Sequence, residues 1–146
     1  IVQGLVRVVN NRQETLFLGN LDARRDWGHA KEFVEAMWKM LQLKQPCDLV
    51  IATGKNYSVR EITEKVYRIL GGELIWVGKH KDEVGIDSRT GKVIVEVNQK
   101  YFRPNEVHSL KGDYSLDRKL LDWTPKISID ELLHEMIQFE FHHEVN

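Results

Sequence analysis

The chain has 146 residues, a formal net charge of −1, and is 42% hydrophobic and 29% charged. That balance excludes a disordered segment, and the missing basic bias argues against a dedicated nucleic-acid binder. The single cysteine, Cys47, excludes an internal disulfide and fits a reducing compartment, so a cytoplasmic protein is expected. No apolar run reaches the ~18 residues of a membrane span, and no signal peptide is read.

In chain order, "IVQGLVRVVNN" reads as a helix stopped by Asn10 and Asn11. It begins in mid-pattern at Ile1, as expected of a piece of a longer protein. "TLFLGN" is a short strand entering a turn at Gly19-Asn20. From His29 to Leu43 a helix is predicted with a wide buried face: Ala30, Phe33, Val34, Ala36, Met37, Trp38, Met40 and Leu41. "DLVIATG" is the near-continuous apolar run typical of a strand buried on both faces of a parallel sheet. Ser58 and Glu61 form a capping box opening a helix that Gly71-Gly72 closes. "ELIWVG" and "KVIVEVN" are strands, and the polar stretch "KHKDEVGIDSRTGK" between them is a surface loop. After the irregular "KYFRPNEVHSLKGD", Asp113 caps a helix through Leu121. Ser128 and Glu131 open a last helix striped by Ile129, Leu132, Leu133, Met136 and Ile137. Alternation of this kind predicts an α/β fold that is part of a larger sheet.

The chemistry concentrates in two irregular stretches. "NLDARRDWGH" sets Arg24 and Arg25 beside a helix start, where guanidinium groups and helix amides can hold a phosphate. The same arginines could equally be solvated, or paired with Asp22 or Asp26. "FRPNEV" offers Arg103 for a phosphate and Glu106 as an acceptor for ribose hydroxyls, or an ordinary ion pair between the two. His142-His143-Glu144 reads as an exposed tail with no partner cluster of zinc-type spacing, so no metal site is expected. His29 reads as a structural hydrogen-bonder, and Trp27, Trp38, Trp76 and Trp123 as core or half-buried packing. There is no G-x-G-x-x-G or G-x-x-G-x-x-G dinucleotide loop, no Tyr-x-x-x-Lys pair, no Ser/His/Asp signature and no Cys-x-x-Cys. No catalytic and no cofactor-binding residue is assigned within the chain.

"LFLGNLDARRDWGHAKEFVEAMW", "LVIATGKNYSVREITEKV" and "YFRPNEVHSLKGD…KLLDWTPKISIDELLHEM" closely resemble the C-terminal part of the GDP-mannose 4,6-dehydratase family. This is a branch of the extended short-chain dehydrogenase/reductases, and the likeness runs over essentially the whole chain. "LGNLDARRDWGHA" together with "RPNEV" is specific to it. The bare Arg-Asp-Trp/Phe element is shared across nucleotide-sugar epimerases and dehydratases, and a related nucleotide-sugar epimerase or reductase is the alternative. The resemblance implies the last strands of a Rossmann-type NAD(P)-binding fold and its small substrate-binding lobe, over residues 1–146. It implies that Arg25 and Arg103 reach the diphosphate of GDP-mannose and that Glu106 lies near the ribose. Leu16, Phe17, Gly19 and Asn20 are expected to line the nucleotide, and Arg24 to be structural or at a subunit interface. In the complete enzyme NADP takes a hydride from carbon 4 of the mannose, water leaves from carbon 6, and the hydride returns there. The product is GDP-4-dehydro-6-deoxy-mannose, on the way to GDP-fucose, and the enzyme is a dimer or tetramer. The catalytic residues and the NADP loop would lie upstream of Ile1, so the chain alone is expected to bind or associate without turnover. One departure is Glu32, where the family usually has aspartate.

Overall fold

The computed structural model describes residues 1–103 and 105–144, Glu144 by its backbone alone. Pro104 and the Glu144 side chain, which enter the sequence reading, lie outside the described residues. Among the described residues the helices are α1 (Val2–Val9), α2 (Ala30–Met40), α3 (Val59–Ile69), α4 (Ser115–Leu121) and α5 (Ile129–Glu144). The strands there are β1 (Leu16–Leu18), β2 (Arg24–Asp26), β3 (Asn56–Ser58), β4 (Leu74–Val77), β5 (Val84–Asp87) and β6 (Val93–Val97), with 3-10 turns at His80–Asp82 and Gln99–Tyr101.

Four strands form one sheet in the order β1-β6-β5-β4. β1 runs parallel to β6, with Leu16 opposite Val95, and the other two pairs are antiparallel. α1, α3 and α5 pack on it around Leu5, Val6, Ile62, Val66, Val95 and Leu133, all within 2% of complete burial. Fixing that packing, α3 begins with the expected capping box: the Glu61 amide donates to Ser58 Oγ (3.0 Å) and the Ser58 amide to Glu61 Oε2 (2.6 Å). Gly71 ends the helix at φ +86°, a conformation glycine adopts without steric cost. Ser128 and Glu131 repeat the reciprocal bonds at α5. A second, smaller cluster joins α2 and α4, with Ala36, Leu121 and Trp123 buried and the rings of Phe33 and Tyr114 edge-on to Trp123, centroids 6.3 Å away in each case. Glu32 ties α2 to the turn before α5 by accepting from the Lys126 and Ile127 amides (2.6 and 3.1 Å).

Four expectations need correction. Residues 48–54 are not a strand: the run is unpaired, and Val50 is 55% exposed. An apolar extended run becomes a strand only beside another strand edge, and among the described residues none lies there. The buried face of α2 is narrower than its composition suggests, since Val34, Met37, Trp38 and Leu41 are exposed. Those four recur at helical spacing on the side away from the small cluster, so none of the described residues covers them. The stretch 79–92 contains β5, a hairpin partner of β4 whose inward residues are Gly85 and Asp87 and so carry little hydrophobic signal. Asp113 accepts from the Ser115 amide (2.9 Å), but the N-cap position of α4 is Tyr114.

Candidate functional site

The two-stranded sheet β2-β3 stands apart from the main sheet and organises the irregular stretches. On one side β2 pairs antiparallel with β3, Arg25 lying opposite Tyr57. On its other edge the Arg24 amide donates to the His108 carbonyl (2.8 Å) and the Leu110 amide to the Arg24 carbonyl (3.0 Å). Three polar residues in a row are thus the middle strand of a small assembly, held by main-chain bonds that no periodicity announces.

Side chains alternate along β2, and their tasks alternate with them. Arg24 donates to the Asn56 carbonyl (3.1 Å) and to Asn56 Oδ1 (3.3 Å), and it pairs with Glu61 (3.0 Å). Glu61 is held below the usual carboxylate range chiefly by the Ser58 amide, with Arg24 adding to the effect. Asp26 accepts four times: from the Thr53 amide (2.8 Å) and hydroxyl (2.6 Å) through Oδ1, and from the Gly54 and Gly112 amides (3.0 and 3.3 Å) through Oδ2. It ties the end of the 48–54 run and the 105–112 loop to one strand. Gly112 makes this closure possible, because a Cβ there would lie 2.1 Å from that of Ala52.

Between these two, Arg25 faces the other way. Its Nη1 donates to the Arg24 carbonyl (2.8 Å) and the Val107 carbonyl (2.7 Å), and its Nη2 pairs with Glu106. Both side chains are largely shielded, 28% exposed for Arg25 and 17% for Glu106. Two motifs separated by 81 residues therefore meet at one guanidinium. Glu106 goes to Arg25 and not to Arg103, which is exposed. Asp22 meets Arg60 (3.0 Å), so the sequence alternatives for its partner and for Asp26 are both resolved otherwise.

The 16–20 segment reaches the same region by a different route. The Asn98 amide donates to the Leu18 carbonyl (2.7 Å), and Gly19 lies so close to the Tyr101 carbonyl that a Cβ would stand 2.6 Å from its oxygen. The turn after β1 is thereby set against the root of the loop carrying Arg103. Phe17 is 44% exposed, Asn20 Oδ1 accepts from the Asp22 amide (3.0 Å), and the Leu16 side chain is buried in the core. His29 is structural, as read: Nδ1 accepts from the Lys31 amide (3.1 Å) at the start of α2, and Nε2 meets Glu135 (2.9 Å). Trp38, by contrast, is 61% exposed.

Sequence reasoning missed Asp26 as a hub and Asn56, whose Nδ2 donates to Ser109 Oγ (2.9 Å). A carboxylate before a tryptophan carries no spacing signal for amides 27 and 86 residues away. Among the described residues no group of three or more His, Cys, Asp or Glu is placed to hold a metal ion, and no helix is long and apolar enough to cross a membrane.

The family model for GDP-mannose 4,6 dehydratase matches residues 1–136. The GDP-mannose 4,6 dehydratases of Cricetulus griseus and Homo sapiens are 49% and 48% identical over 94% of this chain, which spans 37% of their length. Among solved structures, RMD from Pseudomonas aeruginosa complexed with NADPH matches with a TM-score of 0.72 at 17% identity, over 97% of this chain and 40% of that one. UDP-glucose 4-epimerase from Bifidobacterium longum, in complex with NAD+ and UDP, matches with 0.71 at 14% identity, over 98% and 39%. The sheet and helices thus share the fold of a part, about two fifths, of each of these longer chains. With the two motif stretches meeting at Arg25, and near-half identity along almost its full extent, the chain belongs to the GDP-mannose 4,6-dehydratase family.

Proposed function

We propose that the whole protein dehydrates GDP-mannose to GDP-4-dehydro-6-deoxy-mannose, and that residues 1–146 are its mainly substrate-binding portion. In this reading Arg25 and Arg103 hold the diphosphate, Glu106 lies by the ribose, and Leu16, Phe17, Gly19 and Asn20 line the nucleotide. Leu16 would contribute through its main chain. The observation that carries the reading is the Arg25 guanidinium, held by Val107, Arg24 and Glu106 with three of its five N–H donors. A guanidinium already fixed in place loses little side-chain entropy when an anion takes the remaining donors.

NADP is the cofactor this family reading implies. The residues here do not fit it: among the described residues no strand leads through a glycine-rich turn into a helix, the geometry that cradles a dinucleotide. The cofactor is assigned to the remainder of the protein, and no step through it is derived from this chain. The unpaired apolar run 48–54 and the bare Val34, Met37, Trp38 and Leu41 face support a second portion of the same protein packing there. We further propose a homo-oligomer, a dimer or tetramer, working in the cytoplasm.

Titration calorimetry with GDP tests the site. A charge-assisted contact to phosphate is worth about 1.5–3 kcal/mol, so Arg25→Gln and Arg103→Gln should each weaken GDP roughly 10- to 150-fold. Unchanged GDP affinity in both variants sinks the assignment. For the whole protein the assay is loss of GDP-mannose with formation of the 4-keto product. Conversion to an epimer without loss of water would favour the epimerase alternative.

A further inference from the structure

The pairing at β2 says more about Glu106 than nearness to a ribose. Among the described residues Arg25 has three acceptors, and two of them are neutral carbonyls gathered on one nitrogen, Nη1. Of these three, Glu106 alone meets Nη2 and alone is charged. A bond on the second nitrogen opposes rotation of the planar group, and charge-assisted bonds are roughly twice as strong as neutral ones. Glu106 is itself held in place. Its neighbour Val107 supplies a second acceptor to the same guanidinium, and residues 108–110 are bonded to both sides of the Arg24 peptide. The bonds described for Glu106 engage Oε1, while Oε2 takes no part in them.

We infer that Glu106 is a positioning residue for Arg25, orienting that guanidinium toward an anionic diphosphate through Oε1. This rests on the reading of Arg25 as an anion ligand. It separates cleanly from a role in ribose recognition alone, because it makes Glu106 matter to a ligand that has no ribose. The expected sign is also diagnostic. A carboxylate that merely sat near the phosphates would repel them, so its removal would tighten binding. A carboxylate that aims the arginine weakens binding when it is lost.

The probe is inorganic pyrophosphate, measured by calorimetry against the chain and its Glu106→Ala, Glu106→Gln and Arg25→Gln variants. Glu106→Ala should weaken pyrophosphate about tenfold, the scale of one charge-assisted contact. Glu106→Gln keeps an oxygen acceptor for Nη2 and removes the negative charge, so it should recover wild-type affinity or exceed it. Pyrophosphate binding that is unchanged or tighter in Glu106→Ala overturns the inference. A second readout needs no ligand: the Arg25 Nε–H exchange rate by nitrogen-15 NMR should rise in Glu106→Ala and return in Glu106→Gln. If Arg25→Gln leaves pyrophosphate binding intact, or the wild-type chain binds none, the anion-site reading fails. The exchange rate then decides the positioning role alone, and an unchanged rate in Glu106→Ala refutes it.

Discussion

Asp117, the third residue of α4, is completely buried, and among the described residues neither of its carboxyl oxygens has a partner in hydrogen-bond geometry. Burial pushes its carboxyl above the usual range. The nearby amides of Asp117 itself and of Val50 offset part of this, and the charge of Asp113 adds to it. Asp117→Ala should therefore stabilise the protein. Relief of an unsatisfied buried polar group is worth about 1–3 kcal/mol, and alanine adds a few tenths in helix propensity. Against this stands the loss of an acid in the first helical turn, about 0.3–1 kcal/mol. The net is a gain of about 1–2 kcal/mol at pH 7, or about 3–7 °C in Tm for a chain of this length. The sign has a pH signature. A carboxyl whose folded pKa is raised penalises the folded state only where the unfolded chain has ionised. The advantage of Asp117→Ala should thus be smallest below pH 3.8, grow as pH rises through that value, and level off above the folded pKa. Urea unfolding followed by circular dichroism at pH 3 and pH 7 measures both. A variant less stable than wild type at pH 7, or a gain equal at both pH values, refutes the reasoning.

The Tyr67 hydroxyl donates to buried Asp87 (2.8 Å), which with the Thr90 contacts holds that carboxyl at about 2. This contribution is complete above pH 3.8 and is lost as pH falls toward 2. Tyr67→Phe should cost about 1–2 kcal/mol and move the acid-unfolding midpoint upward, read by circular dichroism; an unmoved midpoint would disconnect the pair from acid stability. Burial, with the same bond adding to it, lifts Tyr67 to about 12, so the bond's contribution persists below pH 10 and fades as pH climbs to 12. Gly112→Ala forces a methyl against Ala52 and should lower stability by about 1–3 kcal/mol in urea unfolding. Ser58→Ala removes half of the α3 capping box at a cost of about 1 kcal/mol. An NMR titration should show Glu61 still below its ordinary pKa in Ser58→Ala, since the Ser58 amide, its largest depressing influence, survives the substitution.

Local signals fared well wherever the physics is local. A capping box is a reciprocal bond between residues three apart, so Ser58 with Glu61 and Ser128 with Glu131 were legible from spacing alone. The stripes of α1 and α3, the strands β1, β4 and β6, and the glycine stop at Gly71 follow from periodicity and backbone freedom in the same way. Family membership was legible too, because it resides in the order of residue types in two irregular stretches. Three things were decided only in three dimensions. Whether an apolar run becomes a strand depends on a neighbouring edge, which residues 48–54 lack here. Which apolar face of α2 is covered depends on what packs against it. And which carboxylate meets which arginine depends on chain reversals: Asp26 is one residue from Arg25 yet spends its oxygens on the Thr53, Gly54 and Gly112 amides, while Glu106 crosses 81 residues to reach that guanidinium. Adjacent residues on a strand point to opposite faces, so sequence neighbours at this site are chemical strangers, and its partners come from the distant loop that β2 holds along its edge.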